Sequence, residues 1–205
     1  MDYKVLITTS GTGSRLKEET ANLNKALVEI SDKPALDYVL SRYDVRVPLV
    51  ITLGYKAEQV RKYFASKHPE RTVEFVTIDP YEGDGSSLGY SMLQAAQNLQ
   101  CPFIFHACDT LTTSQIPAPD KNWIAGYAHE DVEQYRTLKV ENDFVIGIND
   151  KEMTEFSLVH VGLVGIHDYT AFWAALKEAY DEDPFDTRLN DTSGLSRMIE
   201  GGRRF

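Results

Sequence analysis

The chain has 205 residues, of which 42% are hydrophobic and 11% aromatic, and this suits one globular domain with one sizeable core. Its formal net charge of −10 argues against a general nucleic-acid surface, because binding a polyphosphate backbone requires clustered cations. No apolar run approaches the roughly 18 residues of a membrane span, and the N-terminus lacks a signal-peptide pattern. The 2 cysteines form neither a disulfide framework nor a zinc site. We therefore expect a cytoplasmic protein that binds neither nucleic acid nor a membrane.

Strand and helix signals alternate in the first half of the chain. Short apolar runs predict strands at 5–8, 47–52, 73–78 and 102–107. Helical periodicity predicts helices at 34–40, 57–67 and 88–99. The first of these helices has a proline near its first turn, and Ser31 or Asp32 is its candidate cap. Because helices separate the strands, we expect crossover connections and a largely parallel sheet with helices on both faces.

The pattern changes after residue 109. It predicts strands at 123–129, 135–140, 144–148 and 158–166 and helices at 169–180 and 193–200. Residues 141–143 join the second and third of these strands as a hairpin. The sequence thus predicts an α/β fold, with a Rossmann-like, mainly parallel or mixed sheet flanked by helices and a small antiparallel element in the second half.

A glycine-rich loop follows the first predicted strand and ends in a cation. The loop comprises Thr9, Ser10, Gly11, Thr12, Gly13, Ser14 and Arg15. Its two glycines let the backbone approach a ligand closely and point successive N–H groups at an anion. Arg15 can fork onto phosphate oxygens, and Lys25, further along the chain, can supply a mobile point charge. The pattern predicts a triphosphate cradle, but it is not a Walker loop, because no Gly-Lys-Ser/Thr follows.

The motif Gly-Thr-Gly-Ser-Arg at 11–15, together with Lys-Ala-Leu at 25–27, resembles the signature of the nucleotidyltransferases that make nucleotide-activated sugars and alcohols. That signature usually has alanines before the first glycine, where this chain has Thr9 and Ser10. It also has a proline where this chain has Asn24. The spacing and both cations match, and the resemblance extends over most of the chain.

The resemblance implies an enzyme that transfers a nucleoside monophosphate from a nucleoside triphosphate to a phosphorylated small molecule and releases pyrophosphate. CTP or UTP is favoured as the donor. The favoured acceptor is a sugar, polyol or other alcohol phosphate destined for a surface polysaccharide. In such a reaction Arg15 and Lys25 are the implied catalytic cations, and residues 9–14 bind the nucleotide. The implied cofactor is Mg²⁺.

An acidic residue follows the apolar strand that ends near residue 107. Ligands bind in open α/β sheets at the carboxyl ends of the strands, where Asp109 is placed. In the resembling enzymes an aspartate at this position holds the magnesium that bridges the nucleotide and acceptor phosphates, so the resemblance implies this role for Asp109. The alternative is that Asp109 only caps a turn.

Three neighbouring residues are expected to be structural. His106 is expected to be a hydrogen-bonded core histidine, and Cys101 and Cys108 are expected to pack as small hydrophobes.

Two further segments match ligand-binding regions of the resembling enzymes. The glycine- and serine-rich loop at 79–90 stands where those enzymes read the base, which implies Ser86, Ser87 and Gly89 as nucleotide-binding residues. The alternative is a surface loop in which Ser86 or Ser87 caps the following helix.

In the second half of the chain, the resemblance implies Lys151, His160 and Gly162 as acceptor-binding residues. Taken alone, Lys151 fits a solvated loop charge, and His160 in an alternating strand could face solvent.

The resembling enzymes have a second metal-binding aspartate after the last helix and one further strand. This chain stops after the Gly-Gly-Arg-Arg-Phe segment at 201–205. We therefore expect residues 1–205 to be a single nucleotidyltransferase domain that lacks its C-terminal portion, or one whose second metal ligand comes from elsewhere.

Two other functions stay open. A nucleotide-sugar-dependent glycosyltransferase normally shows Asp-x-Asp, whereas this chain has Asp-Thr-Leu at 109–111. A non-catalytic nucleotide-binding subunit is the other alternative.

Overall fold

One mixed sheet dominates the computed structural model, which describes residues 3–129, 135–149 and 157–205. The strands are β1 (Lys4–Thr8), β2 (Glu29–Ile30), β3 (Lys33–Pro34), β4 (Leu49–Leu53), β5 (Val73–Thr77), β6 (Phe103–Ala107), β7 (Trp123–Tyr127), β8 (Thr137–Glu141), β9 (Phe144–Asn149) and β10 (Leu158–Ile166). In the described ranges, eight of them form the sheet in the order β5-β4-β1-β6-β10-β8-β9, with β7 pairing with β10 beside this path. β2 and β3 pair only with each other in a separate hairpin.

Five of the six α-helices in the described ranges lie close to predicted positions, and the short first helix was not predicted. The six are α1 (Glu18–Ala21), α2 (Ala35–Leu40), α3 (Ala57–Lys67), α4 (Leu88–Gln94), α5 (Tyr169–Glu182) and α6 (Asp191–Glu200). The helix predicted at 88–99 is shorter than expected. The Ala95 N–H bonds back only three residues to Met92 O at 3.0 Å, so the helix tightens into a 3-10 turn at Ala96–Asn98. The other predicted strands and helices are present, with ends that differ by at most two residues.

The predicted cap of α2 is wrong. Residues 29–34 form the β2–β3 hairpin, and Ser31 lies in its turn with φ of +63°. Asp32 accepts a hydrogen bond from the Tyr38 hydroxyl at 3.1 Å instead of capping the helix. The N-cap position belongs to Pro34, and no side chain caps the helix there. Strand pairing in the hairpin therefore overrides the capping tendency of Ser31 and Asp32.

Both faces of the parallel half of the sheet are buried. β1 pairs in parallel with β4 and β6, and β4 pairs in parallel with β5. Leu6 of β1 belongs to a hydrophobic cluster that includes Phe172 of α5. Its neighbours Val5 and Ile7 point to the opposite face and join a cluster that includes Phe64 of α3. The predicted parallel sheet with helices on both faces is confirmed.

The second half of the described chain adds antiparallel strands. β10 runs antiparallel to β6, β7 and β8. β8 and β9 form the predicted hairpin through Asn142 and Asp143, whose φ values of +48° and +64° are ones that short polar side chains tolerate. The predicted α/β architecture with a small antiparallel element is confirmed. None of the helices in the described ranges combines the length and apolarity needed to cross a bilayer.

The sheet brings the chain segments after β1 and β6 side by side. The two strands are parallel neighbours, and Thr8 at the end of β1 is in register with Ala107 at the end of β6. The glycine-rich loop and the turn that contains Asp109 therefore leave the sheet at the same edge. A functional site is expected at this edge.

Candidate active site

A cleft of about 450 Å³ opens at the carboxyl edge of β1 and β6. It is lined by Thr8, Ser10, Gly11, Thr12, Arg15, Lys25, Tyr81, Glu82, Gly83, Ser86, Ser87, Leu88, Ser91, Ala107, Cys108 and Asp109. Eight of the predicted site residues are in this lining: Ser10, Gly11, Thr12, Arg15, Lys25, Ser86, Ser87 and Asp109. Four other predicted nucleotide-binding residues lie outside it: Thr9, Gly13, Ser14 and Gly89. Two of the lining residues that sequence reasoning missed, Tyr81 and Glu82, belong to the loop that was predicted to read the base.

The glycine-rich loop packs tightly around its second glycine. Gly13 has φ of +67°, and an added Cβ would lie 3.0 Å from Lys25 Cβ and 3.0 Å from Thr20 Cγ2. The Thr20 hydroxyl also donates a hydrogen bond to Gly13 O at 3.0 Å. Only glycine combines this backbone conformation with the missing side chain. Gly13 therefore shapes the loop and brings it close to Lys25.

Thr9 and Ser10, which replace the usual alanines, bond the loop to β4 and to α4. The Thr9 hydroxyl donates to Thr52 O of β4 at 2.7 Å, and the Ser10 hydroxyl donates to Ser91 Oγ of α4 at 3.1 Å. Both residues are buried, and Thr9 is fully so. Their side chains thus add hydrogen bonds that alanines could not make.

Lys25 and Asp109 form an ion pair inside the cleft. Lys25 Nζ lies 3.0 Å from Asp109 Oδ2, with 23% of the lysine side chain and 59% of the aspartate side chain exposed. The two residues are 84 positions apart in sequence and meet because β1 and β6 are neighbours. An acid and a base in contact at this edge can bind a phosphate and a cation side by side.

The charge state of Lys25 is set by its surroundings. Burial disfavours the charge of Lys25. The negative charges of Asp109 and, at high pH, of the Cys108 thiolate favour the ammonium form, so the pKa of Lys25 lies above its ordinary value. Burial raises the pKa of the Cys108 thiol to about 11. The thiol is therefore neutral at physiological pH, and the Asp109 carboxylate is the anion that stabilises the ammonium group.

Asn24 is a structural part of the site that sequence reasoning did not identify. Its side-chain amide donates to Thr9 O at 2.9 Å and to Tyr55 O at 2.7 Å. Its side-chain oxygen accepts from the Ala26 N–H at 3.0 Å, which caps the 3-10 turn that begins at Lys25. Its φ of −64° is the value that proline fixes, so the turn keeps the backbone conformation that proline favours. The high N-cap preference of asparagine was the available sequence signal.

The loop before α4 forms the opposite wall of the cleft. Ser87 caps α4 by accepting a hydrogen bond from the Tyr90 N–H at 3.0 Å, and the Ser86 hydroxyl donates to Gly83 O at 2.6 Å. The predicted capping role of this serine pair is thus met by Ser87, and both serines also line the cleft.

Gly89 lies behind this wall rather than in it. Its N–H donates to Leu189 O at 2.9 Å, and an added Cβ would lie 2.6 Å from Leu189 Cγ. The glycine therefore permits a close approach between α4 and the segment before α6. This packing contact gives no support to a direct role for Gly89 in nucleotide binding.

Of the three predicted acceptor-binding residues, the structure describes His160 and Gly162. Lys151 lies outside the described residues. His160 is buried rather than facing solvent, and its Nε2 lies 2.7 Å from Asp191 Oδ2. Gly162, with φ of +72°, lies against the end of β6, where an added Cβ would be 3.0 Å from Ala107 Cβ. Neither His160 nor Gly162 lines the cleft, and the burial of His160 gives no support to an acceptor-binding role.

Two carboxylates, Glu82 and Asp109, face the cleft. Within the described ranges, no group of three or more His, Cys, Asp or Glu residues is arranged to hold a metal ion. A cation at Asp109 would therefore take most of its ligands from a bound substrate and from water. This is how Mg²⁺ is commonly held beside nucleotide phosphates.

The curated relatives in sequence are cytidylyltransferases. The chain is 29% identical over 118 residues to a probable glucose-1-phosphate cytidylyltransferase of Bacillus subtilis, and the match covers 55% of this chain and 42% of the relative. It is 38% identical over 65 residues to the glucose-1-phosphate cytidylyltransferase of Salmonella typhimurium, covering 31% of this chain and 25% of the relative. The chain thus spans less than half the length of these relatives. No family model matches it.

Solved structures share the fold over nearly the whole chain. The CTP:phosphocholine cytidylyltransferase of Streptococcus pneumoniae matches with a TM-score of 0.77 at 18% identity, covering 98% of this chain and 87% of that one. A UDP-glucose pyrophosphorylase complexed with UDP-glucose matches with a TM-score of 0.80 at 17% identity, covering 100% and 89%. The relatives of this chain in sequence and its neighbours in fold are named as nucleotidyltransferases of sugar or alcohol phosphates, which confirms the resemblance predicted from the sequence.

Proposed function

We propose that this chain is a nucleotidyltransferase that transfers CMP or UMP from the corresponding triphosphate to a sugar or alcohol phosphate, with release of pyrophosphate. The observation that carries the proposal is the meeting of Arg15, Lys25 and Asp109 at one cleft, beside a glycine-rich loop. The relatives named glucose-1-phosphate cytidylyltransferase support cytidine as the base.

The proposed reaction is a direct displacement. A phosphate oxygen of the acceptor attacks the α-phosphorus of the triphosphate, a P–O bond forms, and the bond to the leaving pyrophosphate breaks. The attacking oxygen is already anionic, so the reaction needs no general base. The protein has to align two polyanions and to stabilise the charge that develops on the transferred phosphoryl group. Arg15 and Lys25 provide the positive charge for both tasks.

Mg²⁺ is the cofactor we propose for this site. Asp109 would hold the ion together with the substrate phosphates and water. The bound ion would neutralise phosphate charge. Asp109 is engaged by Lys25 at 3.0 Å, so the lysine would turn from the carboxylate to the phosphates when substrate binds.

We propose a cytoplasmic reaction that supplies a surface-polysaccharide precursor. Residues 1–205 act in it as one nucleotidyltransferase domain. Lys151 and Gly162 remain candidates for binding the acceptor.

The proposal is tested by mixing the protein with Mg²⁺, each of the four common nucleoside triphosphates, and a panel of sugar and alcohol phosphates. We expect pyrophosphate release with CTP or UTP and a restricted set of acceptors. Arg15→Ala serves as the matched control, because it removes a cleft cation and should lose this activity. A glycosyltransferase or a non-catalytic nucleotide-binding subunit would release no pyrophosphate with any pair, and that result would overturn the proposal.

A further inference from the structure

The turn that contains Asp109 is built from the last residue of β6 and the three that follow it. The Thr110 N–H donates to Ala107 O at 3.0 Å, which closes a four-residue turn with Asp109 as its third residue. Within the described ranges, the carboxylate forms a hydrogen bond with one side chain, that of Lys25, and 59% of it is exposed. The direction of the Asp109 side chain is therefore set mainly by how the turn is held at Thr110.

Thr110 is fixed from two directions besides the turn. Its carbonyl oxygen lies 2.8 Å from His106 Nε2, and its hydroxyl donates to Val161 O of β10. The bond between Thr110 and Val161 joins the turn to β10, which pairs with β6 on the side opposite β1. Both contacts are internal to the fold, so they hold the turn whether or not a ligand is bound.

His106 is held in turn by a buried tyrosine. Its Nδ1 lies 2.7 Å from the Tyr43 hydroxyl, and the histidine is fully buried. The Thr110 carbonyl can only accept, so Nε2 carries the proton and Nδ1 accepts from the tyrosine O–H. Burial lowers the pKa of His106 and raises that of Tyr43, which keeps both groups neutral in these roles. The expected core histidine is confirmed, and one of its partners, Thr110, directly follows the cleft residue Asp109.

We propose that Thr110 and His106 are positioning residues that aim the Asp109 carboxylate into the cleft. The inference rests on the proposed function, in which Asp109 holds a divalent cation. Thr110 acts through its hydroxyl bond to β10, and His106 acts through the Thr110 carbonyl. Groups that orient a metal ligand without touching the metal commonly change metal affinity by about 10- to 100-fold when they are removed.

Mn²⁺ binding to the isolated protein tests the inference without a catalytic assay. Titration of Mn²⁺ alone, followed by water-proton relaxation, gives its dissociation constant. Thr110→Val keeps the side-chain shape and removes the hydroxyl donor, so we expect about tenfold weaker binding. Thr110→Ser restores the donor and is expected to bind within about twofold of the wild type. His106→Phe, which removes the ring nitrogens, is expected to weaken binding as Thr110→Val does.

The matched control is Thr137→Val in β8. Thr137 is fully buried and accepts a hydrogen bond from Asn149 Nδ2 at 3.3 Å, but it lies in a strand away from the cleft. This variant should lose stability without losing Mn²⁺ affinity. Normal Mn²⁺ binding by Thr110→Val, when Asp109→Asn no longer binds, would overturn this inference alone. Normal Mn²⁺ binding by Asp109→Asn would overturn both this inference and the metal site of the proposed function.

Discussion

Replacing Asn24 by alanine should destabilise the fold, because its side chain ties the glycine-rich loop to the segment after β4 and to the turn that begins at Lys25. The fully buried amide donates to Thr9 O and Tyr55 O and accepts from the Ala26 N–H. Each of these three bonds is worth about 1 kcal/mol, so their loss should lower the free energy of unfolding by about 3 kcal/mol. In a domain of this size, that loss corresponds to a fall in Tm of about 6–12 °C.

Urea unfolding followed by tryptophan fluorescence measures this loss. The matched control is Asn22→Ala, two residues earlier in the chain, because Asn22 is exposed. Its free energy of unfolding should change by no more than about 0.5 kcal/mol. A loss below about 1 kcal/mol for Asn24→Ala, or equal losses for the two variants, would refute the reasoning.

The remaining predictions concern the cleft and its supports. Arg15→Ala and Lys25→Ala should each cut turnover by roughly 10²-fold or more with the fold intact, because one lost charge contact costs roughly 3 kcal/mol of barrier. Unchanged pyrophosphate release by either variant would remove that cation from the site. Lys25→Met should strengthen Mn²⁺ binding to the free protein by about two- to fivefold, because its ion pair with Asp109 competes with the metal; equal or weaker binding in a relaxation titration contradicts this. Gly89→Ala should destabilise the fold by about 2 kcal/mol, because the new Cβ would meet Leu189, and a wild-type melting curve would show that Leu189 moves aside without cost.

Local patterns were enough to predict the main parts of the site. The glycine-rich loop and Asp109 each follow a buried strand, and parallel strands place such segments at one edge of the sheet. Lys25 could be added from its spacing to the loop. The arrangement of these residues around one cleft therefore agrees with what the sequence indicates.

Long-range contacts account for what the sequence did not show. His160 is partnered by Asp191, which is 31 residues away, so its burial depends on how α6 docks against β10. The close packing of Gly89 depends in the same way on the segment before α6. Ser31 had the right chemistry for a helix cap, but the β2–β3 hairpin places it in a turn instead. Tertiary contacts decided the first two cases, and pairing within a short local hairpin decided the third.

The central claim is that this cleft joins a nucleoside monophosphate to a phosphorylated acceptor. The most direct test is ³¹P NMR of a reaction that contains the protein, Mg²⁺, CTP and an accepted sugar or alcohol phosphate. For each CTP consumed, the account predicts one pyrophosphate and one product with a new diphosphate linkage, both formed roughly 10²-fold or more slowly with Lys25→Ala. Release of inorganic phosphate alone, or pyrophosphate release by Lys25→Ala at the wild-type rate, would contradict it.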